Sequence, residues 1–138
     1  MTERYLIDKS ALARYPKPAV RAVVEPLHNV GLLAVCAAVE MEVLHSARSK
    51  SDAERIRDGM RGFDWLPTPD EVWDRALDVQ LLLVGAGNRR ALSIADLVIA
   101  ATAERYGATV LHCDGDFDMI AAVTAQPMRW VVPAGSAD

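Results

Sequence analysis

The chain has 138 residues and a mass of 15.0 kDa, the size of one domain whose core can fold unaided. A hydrophobic content of 51%, 25% charge and a mean hydropathy of +0.10 exclude a disordered or mucin-like chain, and no apolar run is long enough to span a membrane. Nineteen acidic against fifteen basic side chains give a formal charge of −4 and a pI near 5.3, which excludes a basic polyanion-binding domain. A nucleic-acid substrate would therefore need local basic patches, bridging metal ions or a partner protein. Residues 1–9 lack signal-peptide architecture, so a soluble cytoplasmic protein is expected. Cys36 and Cys113 lie far apart in apolar segments, which suits reduced, buried thiols rather than a disulfide or a zinc site.

In chain order, residues 4–7 read as a short apolar strand ending at Asp8. Lys9 and Ser10 read as a polar loop before a weakly helical 11–14. Residues 18–28 carry helical spacing in Val20, Val23, Val24 and Leu27, interrupted by Pro26. A buried strand is expected over 32–36 and a helix over 37–48. Ser51 then reads as the cap of a helix over 52–60, and residues 63–66 as a short strand. Thr68, Pro69 and Glu71 occupy capping, first and third positions of a helix over 69–83, ended by Gly85 and Gly87. Ser93 caps a helix lasting to Tyr106, with Gly107 as its C-terminal stop. Residues 108–111 form a strand, 117–122 a short helical turn, and 130–132 a last strand near the sheet edge. Short apolar strands alternating with helices predict a three-layer α/β/α sandwich with a mostly parallel central sheet. Residues 1–133 are assigned to one domain and 134–138 to a C-terminal tail.

Open parallel sheets bind ligands beyond the carboxyl ends of their strands. Asp8 and Asp114 both follow apolar strands, which brings carboxylates from distant sequence toward one crevice. Asp96 is the only ionisable residue between Ala91 and Ala103, in line with Leu92, Ile99 and Ala100 at helical offsets. It either completes a cap with Ser93 or faces a cation that offsets its burial. Glu42 has Val39, Val43 and Ser46 at helical offsets; Glu40 has Ala37, Leu44 and Ala47, and periodicity does not choose between them. Asp116 and Asp118 extend the loop after Asp114, Asp116 being the nearer functional candidate. Several carboxylates drawn together repel unless they are protonated or neutralised by metal. An all-oxygen donor set suits Mg²⁺, with Mn²⁺ as the alternative, and such an ion can activate water for attack on phosphorus.

These motifs resemble the PIN-domain ribonucleases, specifically the VapC toxins of type II toxin-antitoxin systems. The resemblance covers nearly the whole chain: YLIDKSAL at the start, EMEVLHSAR in the middle, LSIADLVIAATAERYGA at the late helix, and TVLHCDGDFDMIA after it. It implies a PIN-like fold and a Mg²⁺-dependent endoribonuclease that hydrolyses RNA phosphodiesters with metal-activated water. By that resemblance Asp8, Glu42, Asp96 and Asp114 form the acidic centre, with Asp116 as an accessory acid; Asp8, Asp96, Asp114 and Asp116 are the implied metal ligands. Ser10 matches a small hydroxylic position that orients Asp8 or a metal-bound water. His112 and Cys113 stand where many relatives have a small hydroxylic residue and a variable one, and His112 is a candidate substrate contact. Arg89 and Arg90 precede Asp96 as candidate phosphate contacts, and Arg48, Lys50, Arg55, Arg57 and Arg61 form a second basic patch. The resemblance further implies a homodimer and a VapB-like antitoxin, for which apolar stripes around residues 20–27 and 39–44 are the candidate surfaces, core burial being the competing reading. Two other functions stand against the nuclease: a catalytically weak PIN-like module that binds antitoxin or RNA, and a phosphohydrolase with Asp8 as covalent nucleophile. The latter is disfavoured because the DKS sequence lacks a closely spaced second aspartate.

Overall fold

The computed structural model describes residues 3–87 and 92–137. Five strands, β1 (Tyr5–Ile7), β2 (Leu33–Val35), β3 (Asp64–Trp65), β4 (Thr109–His112) and β5 (Met128–Trp130), form one sheet in the order β3-β2-β1-β4-β5. Every pairing is parallel, with Leu6 opposite Ala34 on one side and Val110 on the other. Seven helices lie among the described residues: α1 (Lys9–Leu12), α2 (Pro18–Asn29), α3 (Ala37–Leu44), α4 (Lys50–Met60), α5 (Asp70–Gly85), α6 (Ile94–Arg105) and α7 (Asp116–Thr124). The chain steps outward from β1 through β2 to β3, returns across the sheet to β4, and steps outward again to β5. Right-handed crossovers place the helices of these two directions on opposite faces, which gives the expected α/β/α sandwich. Consistent with this, α5 packs on α6 and α7, while α3 packs on α4.

The three central strands are apolar because both faces are covered: Leu6, Ile7, Val35, Val110 and Leu111 are fully enclosed. The α6 helix is unusual in being buried on every side, from Asp96 through Ala103. Its small residues let it approach β1 and β4 on one side and α3, α5 and α7 on others. No helix among the described residues is long and apolar enough to cross a membrane.

Several element boundaries differ from expectation. Lys9 and Ser10 are not a loop but the first turn of α1, because the Asp8 carboxylate accepts from the Ser10 amide and caps the helix at once. The helix expected over 37–48 stops at Leu44, where Ser46 Oγ donates to the Val43 carbonyl and the backbone turns. The next helix is capped by Ser49 rather than Ser51: Ser49 Oγ accepts from the Asp52 amide at 3.1 Å, and Asp52 in turn accepts from the Arg48 amide at 3.0 Å. Thr68 does not cap α5. Extended Pro69 occupies that position, and the Thr68 hydroxyl is buried with no partner among the described residues. The last strand sits two residues earlier than expected, Met128–Trp130 pairing Val110 to His112, although the Val131 amide still donates to the His112 carbonyl.

That register is set by the α7–β5 turn. Ala125 adopts a left-handed conformation at φ 58°, and buried Gln126 then donates from Nε2 to the Ala100 carbonyl of α6 at 2.9 Å. An exposed alanine in this conformation pays a steric cost that glycine avoids. Ala125→Gly is expected to stabilise the fold by about 0.5–1 kcal/mol, read as a higher urea midpoint at unchanged m-value.

Candidate metal centre

The strand order reverses between β1 and β4, and the carboxyl ends of these neighbours open the crevice where an α/β sheet binds ligands. Asp8 is the residue after β1. Its amide still belongs to the sheet, donating to the Leu111 carbonyl at 3.0 Å, so the side chain is fixed by the strand. One carboxylate oxygen, Oδ2, accepts from the Ser10 amide; the other, Oδ1, is buried and has no hydrogen-bond partner among the described residues. Ser10 also accepts from the Cys113 amide through Oγ at 2.8 Å, tying the end of β1 to the end of β4. Asp114 follows immediately; its amide donates to His112 Nδ1 at 3.2 Å and its Oδ1 accepts from the Asp116 amide at 2.9 Å.

Asp96 enters from the first turn of α6, where Ser93 Oγ accepts from the Asp96 amide at 3.0 Å. Asp96 thus belongs to the cap, as one expectation had it, and it also lines the crevice. Glu42 comes from α3. Ligand oxygens of Asp8, Glu42 and Asp96 lie within 4.8 Å of one another, and so do those of Asp96, Asp114 and Asp116. Asp96 is common to both groups. Together with Lys9, Ser10 and Arg14, the acids Asp8, Glu42, Asp96 and Asp114 line a polar cleft of about 250 Å³.

This crowding shows in the acidities. Burial pushes the Asp96 carboxyl up to about 7, with further contributions from Asp8, Asp114 and Glu42 in that order, against a hydrogen bond from Ser93. Glu42 is raised by burial and by Asp8 and Asp114, with the Lys9 ammonium opposing. Glu40 is elsewhere: it pairs with Arg57 of α4 at 3.0 Å, which separates two glutamates that the sequence leaves equivalent.

The remaining candidates divide. His112 is fully buried, with its ring 5.0 Å from both Phe117 and Trp130, and it does not line the cleft. Burial lowers its basicity, and Nδ1 serves as the acceptor for the Asp114 amide. Asp118 accepts from Trp130 Nε1 at 3.1 Å. In the second basic patch, Arg55, Arg57 and Arg61 pair with Asp52, Glu40 and Asp58. Arg89 and Arg90 lie outside the described residues. The cleft's own cations, Lys9 and Arg14, were not singled out from sequence; the available signal was that Ser10 and Arg14 are one turn apart, four residues along the segment that Asp8 opens.

Residues 5–123 match the model of the PIN domain family. The chain is 47% identical to Ribonuclease VapC21 of Mycobacterium tuberculosis, over 99% of this chain and 100% of that protein, and 44% identical to Ribonuclease VapC51 of the same organism over the full length of both. The chain belongs to the VapC family of PIN-domain ribonucleases. Among solved structures, DNA-bound VapBC from Salmonella typhimurium aligns with a TM-score of 0.75 at 12% identity, covering 95% of this chain and 100% of that one. FitAcB from Neisseria gonorrhoeae aligns with a TM-score of 0.72 at 19% identity, over 92% and 97%. The fold is thus shared at 12% to 19% identity.

The donor set of this VapC chain suits a hard divalent cation. It is all oxygen, it draws on four separate segments, and it includes Asp8 Oδ1, which has no hydrogen-bond partner among the described residues. The Asp96 acidity makes the cost of the uncompensated cluster measurable. Its carboxyl binds a proton more tightly in the folded state, at about 7, than the ordinary value of 3.8. The folded state therefore holds more protons between these values, and its stability falls as pH rises through them. Metal-free protein is expected to unfold more easily at pH 8 than at pH 5, with Mg²⁺ or Mn²⁺ reversing the loss and Asp96→Asn flattening it. Thermal melts across that range check this, and equal stability at both pH values in the absence of metal would contradict it.

Proposed function

We propose that this chain is the Mg²⁺-dependent endoribonuclease toxin of a type II toxin-antitoxin system, acting in the cytoplasm, with Mn²⁺ able to replace Mg²⁺. The observation that carries this reading is the convergence of Asp8, Glu42, Asp96, Asp114 and Asp116 at the strand switch point, in two groups sharing Asp96. Asp8, Asp96, Asp114 and Asp116 are the proposed cation ligands. When bound there, a divalent cation supplies Lewis-acid polarisation of a phosphodiester and makes water more acidic. Glu42, whose proton affinity is raised by burial and by Asp8, orients water at the cleft and accepts its proton. Ser10 holds Asp8 and the Cys113 amide in fixed relation, so the two strand ends cannot spread as charge accumulates between them. His112 acts at one remove by accepting the Asp114 amide.

A second copy of the chain and a VapB-like antitoxin are the proposed protein partners. The stripes expected to meet them are largely core, since Val20, Val24 and Val39 are buried. Surface suited to partners lies instead on α5, where Trp73, Leu77 and Leu81 recur every four residues and remain exposed, Leu81 by 69%. Met41 and Ile94 extend this ridge across an apolar cleft of about 480 Å³ that reaches Glu42. Toxin-antitoxin complexes of the same fold support a partner-bound state.

The test is cleavage of size-resolved total RNA by antitoxin-free protein in Mg²⁺ or Mn²⁺, with EDTA and Asp96→Asn in parallel. Discrete products are expected, abolished by EDTA and reduced roughly 100-fold or more by the substitution. Folded, metal-bound protein that binds antitoxin yet cleaves no RNA would instead favour the binding-module reading.

A further inference from the structure

Arg14 sits at the edge of the acidic cleft, half-buried, and lines it together with Asp8, Asp96 and Asp114. A cation there would be expected to pair with a carboxylate. Instead its guanidinium is held by two neutral backbone carbonyls: Nη1 donates to Ser10 O at 2.8 Å and Nε to Ala137 O at 3.2 Å. Among the described residues no carboxylate lies in ion-pair range of it. Lys9, the other cation lining the cleft, differs in that its charge opposes the rise in the proton affinity of Glu42. Neutral acceptors fix the orientation of a guanidinium without spending its charge, and Nη2 with one Nη1 hydrogen remains to bond an anion. The two tethers come from opposite ends of the chain, and Ala137 is itself buried, so the C-terminal segment takes part in aiming Arg14.

We propose that Arg14 is a phosphate-binding residue of the cleft, gripping a phosphodiester of the RNA backbone, and that the Ala137 carbonyl is the positioning group that aims it. The proposal rests on the RNA-cleavage reading and adds to it the means by which a net-acidic protein holds a polyanion against its own carboxylates. One guanidinium donates two parallel bonds to one phosphate, and such contacts carry affinity and register rather than base sequence.

The test measures binding of a labelled single-stranded oligoadenylate by fluorescence anisotropy in Ca²⁺, over a range of salt and while gels show the RNA intact. The proteins are the full chain, Arg14→Gln, Arg14→Lys, and a chain ending at Ser136. Arg14→Gln is expected to weaken binding roughly tenfold and to reduce the salt slope by about 0.7, the value for one phosphate contact on a single strand. Arg14→Lys is expected to restore the slope but only part of the affinity. The shortened chain keeps the charge and loses its aim, so its slope should stay at the wild-type value while affinity falls. Metal affinity, measured by calorimetry, should be unchanged in every variant that retains the wild-type circular dichroism. Wild-type affinity and slope in Arg14→Gln would overturn this inference and leave the RNA reading intact. Should Arg14→Gln fail to fold, Arg14→Lys and the shortened chain decide, wild-type affinity in both overturning the proposal. A full chain that binds no oligoadenylate overturns both readings.

Discussion

Repulsion among carboxylates at the junction of β1 and β4 is the constraint around which this molecule is organised. Five acids from four segments meet there, and burial, joined by their mutual field, raises the proton affinity of Asp96 and Glu42. Left to itself such a cluster would spread the strand ends apart. The fold resists through short, local hydrogen bonds: Ser10 clamps β1 to β4, Asp8 caps α1, Ser93 caps the helix that carries Asp96 inward, and Asp114 receives the Asp116 amide. Each of these bonds is modest alone, about 1 kcal/mol. Their effect comes from acting on the same few backbone positions.

Much of this was legible in the sequence because the acids stand at punctuation points. Asp8 and Asp114 end apolar runs, and Asp96 follows Ser93 at capping distance in a stretch, Ala91 to Ala103, with no other charge. An acid in such a place is visible without knowledge of tertiary structure. Glu40 and Glu42 show the limit. Both have apolar neighbours at helical offsets, and only the arrival of Arg57 from a different helix distinguishes them. Ser49 and Ser51 present the same difficulty at shorter range, since either could cap and the choice depends on which acid closes the reciprocal bond. The shift of β5 by two residues was hidden because Trp130, Val131 and Val132 have better strand propensity than Met128 and Arg129, yet Gln126 anchors the turn on α6 and fixes the register.

The apolar stripes illustrate a different ambiguity. Hydrophobic spacing on a helix shows that one face is covered but not by what. In α2 and α3 the cover is the molecule's own core, while in α5 one face packs through Val72, Ala76, Val79 and Leu83 and the opposite face leaves Trp73, Leu77 and Leu81 to solvent. A helix apolar on both sides is a costly surface for a small protein to maintain. Its two faces separate the demands of folding from those of association, so substitutions on the outer face can change partners with little effect on the core.

The enclosure of α6 has a consequence for how this cleft can change over evolution. Asp96 begins a run of eight buried residues, three of them alanines, wedged against two strands and three helices. The helix has no free direction in which to slide, so the acidic cluster is registered to the core as rigidly as a gear tooth to its wheel. Interior drift that displaced α6 would move Asp96 with it and be eliminated, whereas loops and outer faces around the cleft remain free to vary. A lineage built on this frame can diversify what it grips while the spacing of its acids stays constant.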